Sequence, residues 1–338
     1  MYSFPILIAD IGGTNSRYAL IEKEGAEIQH FPSVKNAGFT SIQDVIEQTV
    51  YAKTDLRPKT LVLAIAGPTG NIEKISMTNC PWDIDVYALI ANLNIDEAIA
   101  MSDFEAQALA AISTDPSEHT LIKSGKSRPT SARTVLGPGT GLGLAGMIYI
   151  DGQWSIIPGE GGFVDIGPRT PRDAEIFKAA FASGERPAAE ELLSGRGLTR
   201  IYNAICKADG LDKKLDDPAD VTKAYQAGDD AMALETLECF ARYLGRYASD
   251  AALVYLARGG VYLTGGVAQR LEEVLLLPFF NEEFGNKDPY GDIVANIPVY
   301  LMTEPLIALS GLYAYANAPD QFRITKQGRH WQNSQKTL

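Results

Sequence analysis

The run Ile6-Leu7-Ile8-Ala9-Asp10-Ile11-Gly12-Gly13-Thr14-Asn15 constrains this chain more than any other stretch. Four apolar residues read as a short buried strand that runs into an acid. Two glycines and two small polar residues follow, and Arg17-Tyr18-Ala19-Leu20-Ile21 begins a second strand. Gly-Gly suits a tight hairpin turn and tolerates positive φ. With no Cβ in the way, the amides of Gly12 and Gly13 can approach an anion closely, and Thr14 and Asn15 add side-chain hydrogen bonds. Asp10 would repel a phosphate directly, but it can hold Mg2+, which takes one or two carboxylates plus phosphate oxygens. The stretch predicts an acid, a metal and a phosphate cradle. An ordinary Gly-Gly hairpin with a capping Asp is the plainer alternative.

A second glycine cluster has the same form. Thr134-Val135-Leu136 leads into Gly137-Pro138-Gly139-Thr140-Gly141-Leu142-Gly143, and Leu144–Ile150 continues as strand. Gly141, Gly143 and Gly146 satisfy the letter of the dinucleotide fingerprint, but no helix follows, so strand, glycine turn, strand is the better reading. Two such hairpins suggest a duplicated phosphate-binding device. A third turn, Gly265-Gly266, joins the strand Gly260–Thr264 to a helix, where a flat ligand such as a nucleoside can lie against the backbone. Gly125-Lys126-Ser127 mimics the end of a Walker A loop, yet Thr120 stands where its first glycine belongs, and the motif is rejected.

Three acidic positions stand out. Asp103 follows Ser102 before an Ala-rich helix; Ser102 and Glu105 have capping-box spacing, and Asp103 is either part of that cap or a general base. Glu160 lies in Pro158-Gly159-Glu160-Gly161-Gly162, an acid among glycines, suited to accept hydrogen bonds from a polyol or to sit in a surface turn. Glu190 and Glu191 lie on a predicted helix that stops at Gly195, and read as either a ligand-facing pair or a solvated face.

At 338 residues the chain is long for one core, so two domains are expected. The net charge of −12 argues against a broad nucleic-acid surface. Cys80, Cys206 and Cys239 are far apart, and show neither zinc-ligand nor disulfide spacing; they read as buried thiols in a reducing cytosol. No signal peptide and no membrane span are evident. Hairpin strands alternating with helices predict a mixed α/β fold. From Pro319 the sequence turns polar and predicts a frayed tail.

The ordered set of Asp10-Ile11-Gly12-Gly13-Thr14-Asn15, Ser102-Asp103, Gly137–Gly143 and Leu263-Thr264-Gly265-Gly266 resembles the actin, hexokinase and heat-shock ATPase superfamily. The details are most similar to the zinc-free bacterial glucokinases, through Met77-Thr78-Asn79, Gly159-Glu160-Gly161-Gly162, Leu193-Ser194-Gly195 and Ile297-Pro298-Val299 as well. The resemblance implies a two-domain actin-like (ribonuclease H-like) ATPase fold with an interdomain cleft. The expected divisions are 1–112 plus 304–320, 113–303, and a tail 321–338, with the C-terminal helix returning to the first domain. It implies phosphorylation of glucose at the 6-hydroxyl by ATP with Mg2+, in a cytoplasmic homodimer; the alternatives are a kinase for another hexose (fructose, mannose or an amino sugar) and a sugar-binding regulator without turnover. It makes Asp103 the base and Asn79, Ser102, Asp103, Glu160 and Glu190 the sugar-binding set. Asp10, Gly12, Gly13, Thr14, Asn15, Gly137, Gly139, Thr140, Gly141, Gly265 and Gly266 become the nucleotide set, with Asp10 reaching Mg2+ through water. The family usually has Asn where this chain has Ser102 and His where it has Phe163. Both changes bear on the sugar, and leave the phosphoryl-transfer parts intact.

Overall fold

In the computed structural model, residues 2–67, 74–77 and 80–333 are described. The chain divides into two compact α/β units. One comprises Met1–Thr114, Tyr149–Pro158 and Glu304–Leu338; the other comprises Asp115–Ile148 and Gly159–Thr303. The first unit thus also takes up Tyr149–Pro158, which the sequence placed in the second domain.

The first unit is built on a sheet whose centre is three parallel strands, Ile6–Ile11, Thr60–Ile65 and Glu97–Ser102. Their Val-, Ile- and Leu-rich runs are buried on both faces, as parallel strands require. The register aligns Ile11 with Ile65 and Ile65 with Ser102, so all three strands end level. Asn15–Ile21 returns antiparallel to the first strand, confirming the hairpin read from the sequence. Helix Asp103–Ser113 leaves the end of the third strand, and helix Ile307–Asn317 packs against it. That packing needs Gly311, because a Cβ there would stand 1.8 Å from the Ala106 carbonyl oxygen. The C-terminal helix therefore does return to the first unit.

The tail corrects an expectation. Residues 320–333 do not fray: His330–Gln332 pairs antiparallel with Glu97–Ile99, and Trp331 is buried. One aromatic residue in a polar run was too weak a signal for a strand whose partner lies more than 200 positions away.

In the second unit, strand Arg133–Pro138 pairs antiparallel with Leu142–Ile150 and parallel with Gly260–Leu263, which pairs in turn with Val299–Leu301. The polar stretch read as a connector or hairpin tip contributes an edge strand, Thr120–Lys123. Helix Ala231–Tyr255 supplies much of the core with Leu237, Phe240, Tyr243 and Leu244. Its Arg246, 3% exposed, donates to Asp173 at 3.1 Å, to Glu283 at 3.3 Å and to the Gly167 carbonyl at 2.9 Å. The helix expected over 188–198 is different in the structure. Ala189–Glu191 is a single 3-10 turn, and the helix begins at Gly195, capped by Ser194, rather than ending there. Ser194 Oγ accepts the Gly197 amide, and that cap outweighs the stop signal of Gly195.

Burial alone would raise the Asp173 carboxyl, but amides of Arg169 and Thr170 and the Arg246 guanidinium outweigh it and hold it below its ordinary 3.8. A depressed carboxyl stabilises the fold above its unfolded value and loses that contribution as pH falls through its folded value. Asp173→Asn should therefore cost about 3 kcal/mol near neutrality. Urea melts of parent and variant should stay apart down to pH 3.8 and converge only as pH falls through the lower folded value.

Candidate active site

Each unit carries a group of the residues singled out in the sequence. In the first unit the level ends of the three parallel strands place the Gly12-Gly13 turn and Asp103 on one edge. They are two strand spacings apart, about 10 Å. Such an edge, past the carboxyl ends of parallel strands, is where open α/β sheets bind ligands.

Asn36, which the sequence did not single out, holds the first turn. It is fully buried, and its Nδ2 donates to the Gly12 carbonyl at 2.8 Å and to the Gly13 carbonyl at 3.3 Å. Its Oδ1 accepts from Ser16 Oγ at 2.6 Å, and its own amide donates to the Thr14 carbonyl at 2.8 Å. With these carbonyls tied inward, the turn is fixed in shape, and Thr14 is exposed. Asp10 is level with Arg17 across the hairpin, and Arg17 Nη1 donates to its Oδ2 at 2.8 Å. Burial pushes the Asp10 carboxyl up from its ordinary value, with Arg17 pulling the other way.

Asp103 is the first residue of its helix, and its Oδ1 accepts the Phe104 amide at 2.9 Å. Ser102 is the N-cap: its Oγ accepts the Glu105 amide at 3.1 Å, while the Glu105 carboxylate accepts the Ser102 amide at 2.8 Å. The capping box and the proposed base thus occupy the same turn and do not exclude each other. The helix N-terminus favours the ionised form of a carboxylate at this position. Asn79 lies outside the described residues.

In the second unit the other glycine turns meet. A Cβ on Gly137 would stand 2.6 Å from the Thr264 carbonyl oxygen, and Gly265, at φ +88°, lies with its Cβ direction 2.5 Å from the Pro138 carbonyl oxygen. Only glycine permits that backbone-to-backbone approach. Gly139 accepts the Gly195 amide at 2.9 Å, which brings the Gly195–Ala208 helix to the same place. Between them lies a cavity of about 430 Å3, lined by Gly139, Thr140, Arg196, Pro218, Val267 and Arg270. Glycine backbone, two guanidinium groups and apolar walls suit a ligand that is part phosphate and part flat ring.

The two glutamates sit differently. Glu190 is committed to the glycine turn: Oε2 accepts the Leu142 amide at 3.0 Å, and Arg196 donates to Oε1 at 2.6 Å. Its carboxylate lies where a Cβ on Gly141 would stand, at 2.5 Å. Glu160 is exposed and its carboxylate takes no hydrogen bond among the described residues, so its acceptors are available. The flanking glycines have a packing reason: a Cβ on Gly161 would meet Leu144 at 2.3 Å, and one on Gly162 the Leu142 carbonyl at 2.2 Å. Glu160 also lines the 730 Å3 cavity beside Tyr247 and Tyr255. Phe163, at 53% exposure, presents a ring to solvent two residues beyond Gly161.

Among the described residues no cluster of three or more His, Cys, Asp or Glu is gathered to hold a metal. Asp10 fits as one ligand or second-sphere group, since Arg17 occupies only its Oδ2.

The chain is similar to known proteins over most of its length. The sequence pattern of the Glucokinase family matches residues 7–319. The glucokinase of Agrobacterium fabrum (strain C58) is 45% identical over 97% of this chain and 96% of its own length. That of Rhizobium etli (strain CFN 42) is 44% identical over the same shares. The crystal structure of a glucokinase from an Antarctic psychrotroph superposes with a TM-score of 0.84 at 30% identity, covering 92% of this chain and 98% of that one.

Asn36 generates a test of the first turn. Asn36→Ala leaves Ser16 and two turn carbonyls without their partner in a buried place, which should cost about 2–3 kcal/mol. Urea denaturation of parent and variant measures it, and a change under about 0.5 kcal/mol would mean that the turn holds its shape without Asn36.

Proposed function

The chain belongs to the glucokinase family, with the α/β fold of the actin-like ATPases, and on that premise we propose that it transfers the γ-phosphoryl group of ATP to the 6-hydroxyl of glucose with Asp103 as general base. The observation that carries the assignment of the base is the placement of Asp103. It stands at a helix N-terminus, level with the Asp10–Asn15 turn, on the edge past three parallel strands.

The chemistry asked of the protein is mostly positioning and charge stabilisation. Asp103 accepts the proton of the attacking hydroxyl as the new O–P bond forms, the bond from the γ-phosphorus to its bridging oxygen breaks, and ADP leaves with the electron pair. Amides of the Gly12-Gly13 and Gly139–Gly141 turns hold phosphate oxygens, and the 430 Å3 cavity, lined by Val267 just after Gly265-Gly266, takes the adenosine. Mg2+, when bound, neutralises charge on the phosphate oxygens; Asp10 would hold it through water. Glu160 and Glu190 accept sugar hydroxyls as ionised acceptors, which bind more strongly than neutral ones. Ser102 keeps an O–H to donate beyond its capping role. Asn79 completes the sugar-binding set. Phe163 replaces a polar reach toward the sugar with an apolar face, and glucose remains the acceptor that the family favours. We further propose that the two units correspond to the two domains of such a kinase, and that the enzyme is a cytoplasmic homodimer. Among the described residues no helix is long and apolar enough to cross a membrane.

ADP release with Mg·ATP should depend on glucose, and should exceed that with fructose, mannose or glucosamine; a preference for another hexose would move the substrate and keep the mechanism. Asp103→Ala should lower kcat by at least about 1000-fold while ATP binding, followed by calorimetry, stays within about threefold. Near-parental turnover would remove Asp103 from the role of base. Gly141→Ala displaces the pinned Glu190 carboxylate, and should raise KM for glucose by about 10- to 100-fold, with a smaller effect on KM for ATP.

A further inference from the structure

The helix that begins at Asp103 is held from the far end of the chain. Both Glu105 carboxylate oxygens accept from Arg329 Nη1, at 2.9 and 2.6 Å. Glu105 is 1% exposed and Arg329 8%. The same Glu105 carboxylate accepts the Ser102 amide, one residue before the base. Arg329 is itself well fixed. Its carbonyl accepts the Ala100 amide at 2.9 Å, its Nε donates to the Thr325 carbonyl at 3.0 Å, and the next residues pair with the strand that ends at Ser102. The family pattern matches only as far as residue 319, so Arg329 lies beyond it.

A capping-box glutamate on a surface helix is satisfied by the helix and by water. Glu105 has no access to water, and a buried carboxylate must be paired to remain charged in place. Arg329 is the cation that pairs with it. Without Arg329 the carboxylate would turn toward solvent and release the Ser102 amide, and the first turn, with Asp103 in it, would lose its fixed direction.

We propose that Arg329 is a positioning residue for phosphoryl transfer, acting through Glu105 and the Ser102 amide to fix the direction of Asp103. The proposal rests on the reading of Asp103 as base, and its test separates the two.

Arg329→Ala, Arg329→Lys and the double variant Glu105→Leu/Arg329→Met are compared with the parent as full chains. The readouts are kcat, KM for glucose and ATP, and Tm. Arg329→Ala should lower kcat by about 10- to 100-fold, the scale of a misplaced reacting group. KM for ATP should stay within about twofold, and Arg329→Lys should recover part of kcat. The double variant removes both buried charges, and should regain most of the Tm that Arg329→Ala loses without regaining kcat. If Arg329→Ala keeps parental kcat while folded, or if kcat returns with Tm in the double variant, the role is structural only and the proposal fails. If Arg329→Ala does not fold, the double variant decides by the same criterion. Parental turnover with glucose that survives Asp103→Ala would instead overturn the reading of the base, whatever Arg329 does.

Discussion

The level ending of three parallel strands is the constraint on which the first unit's chemistry depends. Parallel pairing sets Ile11 beside Ile65 and Ile65 beside Ser102. A slip of one residue in either pairing would carry each strand's side chains from one packed face of the sheet to the other, and the residues buried against both faces would have to repack. Fully burying each such side chain contributes about 1.5–3 kcal/mol, so the register is held by far more than any bond at the edge. The core thereby fixes where the glycine turn and Asp103 emerge, and the polar groups adjust only the last few ångströms. In the second unit the corresponding constraint is steric: Gly137 and Gly265 let two strand ends touch backbone to backbone.

Much of this was legible because it is local. A strand, an acid, two glycines and another strand are adjacent in sequence, and so are Ser102 and Glu105 of the capping box. What was not legible joins distant positions. Asn36 reads as one polar residue in a loop, yet it ties the Gly12-Gly13 turn from 24 residues away. Arg196 and Leu142 determine what Glu190 can do, and neither is marked in the sequence as its partner. The glycines around Glu160 read as a ligand loop or a surface turn, but Gly161 and Gly162 also answer to the close approach of Leu142 and Leu144. The misplaced helix boundary near Gly195 has a similar origin. Glycine is both a helix stop and a tolerated first residue, and the Ser194 cap decides between them.

Specificity and reaction class separate along the chain. The groups proposed to handle phosphate are backbone amides of glycine turns, and close backbone contacts at Gly137 and Gly265 fix the shape of one of them. The groups proposed to face the acceptor are side chains, with Glu190 pinned by the Leu142 amide and Arg196. Phe163, exposed to solvent, can change without disturbing the turns, whereas Glu190 and Ser102 are bonded into them. A kinase built this way can alter its acceptor while keeping its donor chemistry.

The first unit is assembled from both ends of the chain, with Gly311 seated against Ala106 and Trp331 beside Glu97–Ile99. During synthesis, Glu304 leaves the ribosome roughly 10 to 40 s after Thr114 at ordinary elongation rates. Over that interval the strands Ile6–Ile11, Thr60–Ile65 and Glu97–Ser102 lack the helix Ile307–Asn317, while the chain of the other unit is still being made. A nascent or prematurely terminated product therefore lacks the packing that fixes Asp103, and the order of translation withholds activity until the polypeptide is finished.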